Sequence, residues 1–562
     1  MLVFTSWVAR RVSIFLMLGS MLAVGGWPTP AGAATCQVIS AHFLSQAEDA
    51  FLHSDYDRAA TLYQAELQQK PNDPFPTAGL VEVLLRQQKV TEAGDVVQKA
   101  LAQHPQSPVL MTALGEVQYR AGTPWLALAT VNASIQLDPC YPQSRLISAS
   151  LLRLNSYYAA AAGEINTAHA LDPTNPRIRS RWLDTLPRKE RISELEAYLA
   201  SANGEDPETI KRLHFYLNYL KQQEIEPHKA CRLVSNTETA TIPFASLMRD
   251  GTHIRAFGLD VKLNDHDARL EIDTGASGLL IGRSLADHAG LKQFSRSEVG
   301  GVGSQGNKGS YTAFADDIKI GPLEFKDCAV EVVDKGRILD DDGLIGMDVF
   351  SRFVVTLDYP MRKLLLAPLP PRPDDTSELK PTLETHGNTN EDESADNATA
   401  TPSPAPKPAR HGPYNRYVAP EMKDWTHVYR SGHDLLLPAS LNDSPPKLFI
   451  LDTGAFSTTV TPEVAREVTK VHSQDNIIVR GVSGKVDKVY TADSITFKFA
   501  NIAQKVDGVV AFATPELSRN LNMEVAGFIG ITALGQMTIS IDYRDGLIKF
   551  DYDARRGYRF VQ

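Results

Sequence analysis

Two short segments of this 562-residue chain place an aspartate in the same local setting. The first reads Leu270-Glu271-Ile272-Asp273-Thr274-Gly275-Ala276-Ser277. The second reads Phe449-Ile450-Leu451-Asp452-Thr453-Gly454-Ala455-Phe456-Ser457. Apolar residues lead in and a small-residue turn follows. Two carboxylates held face to face about 3 Å apart cannot both ionise, so they share one proton. One member then holds that proton while the other takes a proton from water. This is chemistry for general acid–base hydrolysis, with no covalent intermediate, no metal and no organic cofactor. A single Asp-Thr-Gly fits many strand-to-turn junctions, so the weight rests on its repetition within a longer repeat.

The longer repeat keeps its order in both halves. About 28 residues after each aspartate comes a glycine-rich stretch, Gly300-Gly301-Val302-Gly303-Ser304-Gln305-Gly306 and then Arg480-Gly481-Val482-Ser483-Gly484. Next come Gly343-Leu344-Ile345-Gly346 and Gly527-Phe528-Ile529-Gly530. Asp358-Tyr359 stands twelve residues beyond Gly346, and Asp542-Tyr543 twelve beyond Gly530. Strand-like runs close each block, Lys363-Leu364-Leu365-Leu366 and Leu547-Ile548-Lys549-Phe550. Such order implies a duplicated β domain.

On these motifs both blocks resemble retropepsin-like aspartic proteases, over roughly 240–370 and 415–560. The resemblance implies two all-β closed-barrel domains whose half-sites pair. It implies that Asp273 and Asp452 are the catalytic dyad. Thr274 and Thr453 would hydrogen-bond across the lobe interface, and Gly275 and Gly454 would allow a tight turn and close backbone approach. Gly301, Gly303, Gly481 and Gly484 would lie in flaps that close over an extended peptide. Two departures stand out. Phe456 occupies the place of Ser277, and the second flap is poorer in glycine, with Lys485 and Asp487 close by. Asymmetric pairing of two active lobes and loss of activity in one lobe both remain open.

Other chemistries find little footing. The histidines are scattered, without metal-ligand spacing. Ser304 lacks the Gly-x-Ser-x-Gly setting of a nucleophile elbow. No Gly-Lys-Ser/Thr follows the glycine-rich stretches, which argues against a phosphate loop. Asp358 and Asp542 repeat faithfully, but each precedes a tyrosine and a turn, so they read as hairpin residues. The net charge of −10 offers nothing for a nucleic-acid partner.

The segments around the repeat must position it. Arg10 and Arg11, the mostly apolar run Val12 to Trp27, and Ala31-Gly32-Ala33 read as a bacterial-type secretory signal over 1–33. This places the mature protein in the periplasm or outside the cell, with a membrane anchor as the alternative if the segment is retained. Cys36, Cys140, Cys231 and Cys328 show no paired spacing and are expected as buried or free thiols. Prolines at 71, 105, 139 and 173, a second set at 74, 108, 142 and 176, and alanines at 59, 93, 127 and 161 all recur every 34 residues. That is the period of tetratricopeptide repeats. A helical solenoid is therefore expected over 40–228, with four repeats to about 178 and a cap or degenerate repeat beyond. It offers a surface for a protein partner or substrate.

Between the β blocks, residues 371–414 are rich in Pro, Ala, Thr, Ser and acids and lack core formers, which predicts a disordered linker. Some 45 such residues span roughly 35–40 Å, enough for the lobes to dock within one chain without forcing them to. Pairing between two chains stays open. The expectation is an exported aspartic-type endopeptidase, with a non-catalytic binding scaffold as its rival.

Overall fold

The computed structural model describes residues 36–39, 44–248, 254–334, 342–373, 414–474 and 476–552. The expected signal segment and residues 374–413 of the expected linker lie outside the described residues.

Residues 46–225 are helical. Four antiparallel pairs run Gln46–Leu52 with Tyr56–Gln69, Pro74–Arg86 with Val90–Gln103, Pro108–Arg120 with Pro124–Leu137, and Pro142–Leu154 with Tyr158–Leu171. Pro176–Trp182, Arg188–Leu199 and Pro207–Ile225 follow. The second proline set opens the first helix of a pair, because the N–H that proline lacks would be unpaired there anyway. The first set falls two residues past the preceding helix, where the chain must stop. Ala59, Ala93 and Ala127 are fully buried and Ala161 nearly so, since paired helices approach closely only where side chains are small. The turns within the pairs place Ser54, Gln88, Gly122 and Ser156 in the left-handed region, again 34 apart.

The remainder is β-rich. In the first half, His266–Asp273 lies between Ile254–Leu263 and Gly343–Gly346, and the last of these runs parallel to it. The path continues through Leu279–Gly282 to Leu323–Val333, while Ile254–Leu263 pairs with Lys308–Ile320. Lys308–Ile320 in turn pairs with Leu323–Val333, so the hydrogen bonding returns on itself. In the second half, Lys447–Leu451 lies between Asp434–Leu441 and a parallel Gly527–Ile529. There the strand path stays open among the described residues, unlike the closed barrel expected. The alternating burial of strands such as Phe353–Asp358 sends one face to the core.

A six-stranded sheet joins the halves. Its two middle strands, Phe353–Asp358 and Met537–Asp542, come from opposite halves and pair antiparallel, with Thr356 opposite Ser540. Lys363–Pro368 and Leu547–Tyr552 flank them. The two halves therefore dock within one chain.

One expectation is corrected. All four cysteines are disulfide-bonded rather than thiols. The Cys231–Cys328 bond ties the strand Arg232–Leu233 to Leu323–Val333, a pairing that spacing could not reveal across 97 residues. Residues 371–373 and 414 of the expected linker are among the described residues. Arg372 stacks its guanidinium over the Tyr414 ring at 4.0 Å. It also pairs with the buried Asp545 carboxylate, whose Oδ1 accepts from the Tyr417 N–H at 2.8 Å. Both linker ends are thus pinned at one turn.

Candidate active site

Asp273 ends its strand, and Asp452 follows directly on the strand Lys447–Leu451. Each approach strand is central in its sheet, and the second is buried on both faces, hence the unbroken apolar run Leu448–Leu451 before its motif. Beyond each aspartate the chain turns sharply. The Gly275 N–H donates to Asp273 Oδ1 at 2.8 Å, and the Ala455 N–H donates to Asp452 Oδ1 at 2.8 Å.

The two turns are clasped across the interface. The Thr274 hydroxyl donates to the Leu451 carbonyl at 2.7 Å and accepts from the Thr453 N–H at 3.0 Å. The Thr453 hydroxyl donates to the Ile272 carbonyl at 3.1 Å and accepts from the Thr274 N–H at 3.0 Å. Both threonines are almost wholly buried, at 1% and 3% exposed. The clasp sets each carboxylate against the opposite glycine. A methyl group at Gly454 would approach Asp273 Cγ to 2.6 Å, and one at Gly275 would approach Asp452 Cγ to 3.1 Å. Gly454 is needed for this approach rather than for its dihedral freedom, and Gly275 is tight against its partner in the same way.

The two aspartates are only half-buried. Burial raises the Asp273 carboxyl well above the usual range, and the adjoining Asp452 raises it further. Burial also pushes Asp452 up, to about 6, but the Ala455 N–H and a hydrogen bond from Asp273 hold it back. Like charges this close separate into a protonated and an ionised member.

Several supporting residues were not singled out by sequence. Asp348 accepts from the Gly278 N–H at 2.9 Å and the Ser277 hydroxyl at 3.2 Å, bracing the first turn. The second turn has Phe456 and Thr532 at these places. Phe456 is exposed, and its carbonyl accepts from the Thr532 N–H. His433 reaches across the interface, its Nε2 3.1 Å from the Gly275 carbonyl. Position relative to Gly346 could have pointed to Asp348, whereas nothing local marks His433. Asp358 and Asp542 sit in hairpin turns, accepting from the Met361 N–H at 3.1 Å and the Asp545 N–H at 3.0 Å.

The glycine-rich stretches form two hairpins whose tips interlock. The first joins Gln293–Val299 to Lys308–Ile320. The second is the short pair Arg480–Gly481 and Gly484–Lys485. The Gly301 N–H donates to the Ser483 hydroxyl at 3.0 Å, the Ser483 N–H to the Val302 carbonyl at 3.0 Å, and the Gln305 N–H to the Ser483 carbonyl at 2.9 Å. A methyl group at Gly481 would approach the Val302 oxygen to 2.5 Å, and one at Gly301 would approach Val482 Cβ to 3.1 Å. Gly303 and Gly484 both have positive φ, 139° and 87°, and each also abuts the opposite tip. No group of three or more His, Cys, Asp or Glu able to hold a metal occurs among the described residues.

Residues 259–349 match the family model for aspartyl protease, and residues 50–114 match that for tetratricopeptide repeat. No curated protein matches the chain. Among solved structures, a thermophilic tetratricopeptide repeat protein from Thermus thermophilus is 21% identical. The match covers 31% of this chain and 95% of that one, with a TM-score of 0.26.

Proposed function

We propose that this protein is an aspartic-type endopeptidase whose dyad, Asp273 and Asp452, forms within one chain from two tandem retropepsin-like lobes. The matched aspartyl protease domain makes peptides the substrate class. The observation that carries the reading is the reciprocal Thr274–Thr453 clasp, which holds two carboxylates against each other, each raised by burial. A duplicated scaffold kept only for binding has no need of that geometry.

In the proposed reaction the ionised Asp452 takes a proton from water as its oxygen attacks the scissile carbonyl carbon. Asp273 gives its proton to the carbonyl oxygen, yielding a gem-diol. Asp452 then passes its proton to the departing nitrogen, the C–N bond breaks, and Asp273 recovers a proton from a diol hydroxyl. Each step is general acid–base catalysis by a positioned group. The ring-paired first sheet serves as the barrel of the first lobe. Gly301, Gly303, Gly481 and Gly484 belong to flaps that cover an extended peptide and exclude water. The tetratricopeptide region is a protein-interaction module that brings substrate. Export is proposed from the N-terminal segment, and four disulfide-bonded cysteines fit an oxidising compartment.

The test is cleavage of a mixed peptide library from pH 3 to 8 by the mature chain, beside Asp273→Asn and Asp452→Asn. Cleavage abolished by either change supports the dyad. Cleavage surviving one of them would show that the two lobes do not share a site. A parent that binds peptides without cutting them would favour the scaffold.

A further inference from the structure

The first flap hairpin is held from outside by the helical region. The last long helix, Pro207–Ile225, packs along the flap strand Gln293–Val299. Lys211 Nζ lies 2.6 Å from Glu298 Oε1, with Glu298 largely buried. Tyr219 meets Phe294 edge-on, ring centroids 5.7 Å apart. Just past the helix, His228 stacks flat on Phe314 of the second flap strand at 3.7 Å and meets Phe294 edge-on at 5.0 Å. The His228 N–H donates to Gln223 Oε1 at 3.1 Å, which fixes the ring's base to the helix. At the hairpin tip, Val302 joins an apolar cluster with Leu154, Tyr119 and Trp125 of the helical region and Val486 and Val489 of the second flap.

The helical region is itself anchored elsewhere. Gly122 is the one glycine among the four equivalent left-handed turn positions. A methyl group there would approach the Glu524 carbonyl oxygen to 2.5 Å. The Glu524 N–H donates to the Arg120 carbonyl at 2.7 Å, and the Arg120 guanidinium pairs with Asn522. The same solenoid is thus fixed to the second half at one place and to the first flap at another. Outward movement of that flap must break the contacts of Phe294, Phe314 and Glu298.

We propose that Lys211, Tyr219 and His228 are positioning residues that hold the first flap over the dyad, so that substrate entry requires its release from the solenoid. The brace stands on the packing alone. Its consequence for catalysis rests on the protease reading above.

The experiment is amide hydrogen exchange of the full mature chain, followed over residues 293–314, beside peptide kinetics. Losing an aromatic contact in Tyr219→Ala is expected to speed flap exchange by roughly threefold to tenfold. Lys211→Glu sets like charges together and is expected to speed it by about fivefold, an ion pair partly open to solvent being screened. Lys211→Glu combined with Glu298→Lys should restore the parent rate. For cleaved peptides KM should fall in step, because the released state that admits substrate is populated more, with kcat held within about twofold. Unchanged flap exchange in both single variants would overturn the proposal. So would acceleration spread equally over both β halves, which would mean general loosening. Flap exchange that responds in a parent that cleaves nothing would leave the brace standing and remove the protease reading.

Discussion

Replacing Thr274 by valine tests the clasp on which the site depends. Valine keeps the branched shape but deletes the hydroxyl. The Leu451 carbonyl then loses its 2.7 Å donor, and the Thr453 N–H loses its 3.0 Å acceptor. Both groups stay buried, because Leu451 and Thr453 are almost wholly inaccessible. An unpaired buried backbone group costs about 1–3 kcal/mol, so the pair predicts a loss of about 2–6 kcal/mol. Thr274→Ser keeps the hydroxyl and loses one methyl, worth about 1 kcal/mol. The assay is urea unfolding of parent and both variants, compared at equal slope so that midpoints report stability. Peptide cleavage runs alongside, since misplacing a reacting group by about 1 Å can cost about 100-fold in rate. Valine should lower kcat by about that factor, and serine by far less. Valine proving no more costly than serine, in stability and in rate, would refute the reasoning.

Other outcomes follow from the same geometry. Asp452 is raised from 3.8 to about 6 by burial, so the stability of its protonated form is full below about pH 4 and lost as pH rises through about 6. Asp452→Asn should flatten that part of the stability–pH curve in thermal melts. Asp542, also pushed up to about 6 by burial and by Asp545, titrates in both proteins and cancels in the difference. Cleavage should show an acid limb near pH 6, where Asp452 ionises, and an alkaline limb set by Asp273. Removing the Cys231–Cys328 bond with a double alanine change should lower stability by about 2–5 kcal/mol in denaturant unfolding without reductant. Replacing residues 374–413 by about eight Gly/Ser residues should leave the melting midpoint unchanged, since the flanking segments already meet at Asp545. Asp545→Ala, by contrast, strands the largely buried guanidiniums of Arg372 and Arg544 and should cost about 3–5 kcal/mol.

Much of the helical region was legible because its period is local. Pro74, Pro108, Pro142 and Pro176 open helices, and Ala59, Ala93, Ala127 and Ala161 lie where paired helices cross. The dyad motifs were legible for a different reason. A buried central strand, a tight turn and a glycine at a close approach each restrict residue type strongly. Asp348, His433 and the disulfide partners were not legible, because their partners lie far along the chain. The cysteines were expected as thiols for the same reason: nothing in the spacing of Cys231 and Cys328 brings strand Arg232–Leu233 beside Leu323–Val333.

The sequence by itself determined the repeating parts: a 34-residue helical unit, two β blocks, and two aspartates with their threonine and glycine neighbours. These follow from short-range rules, since capping, strand burial and turn sterics act over a few residues. Only the tertiary structure decided how the parts meet. The sheet pairing Phe353–Asp358 with Met537–Asp542 brings the two aspartates together within one chain, a choice the linker's reach left open. The interlocking of Val302 and Ser483 at the hairpin tips, and the docking of Pro207–Ile225 on Gln293–Val299, were likewise settled there. Such contacts depend on the complementarity of surfaces about 70 to 190 residues apart, and no local pattern encodes it.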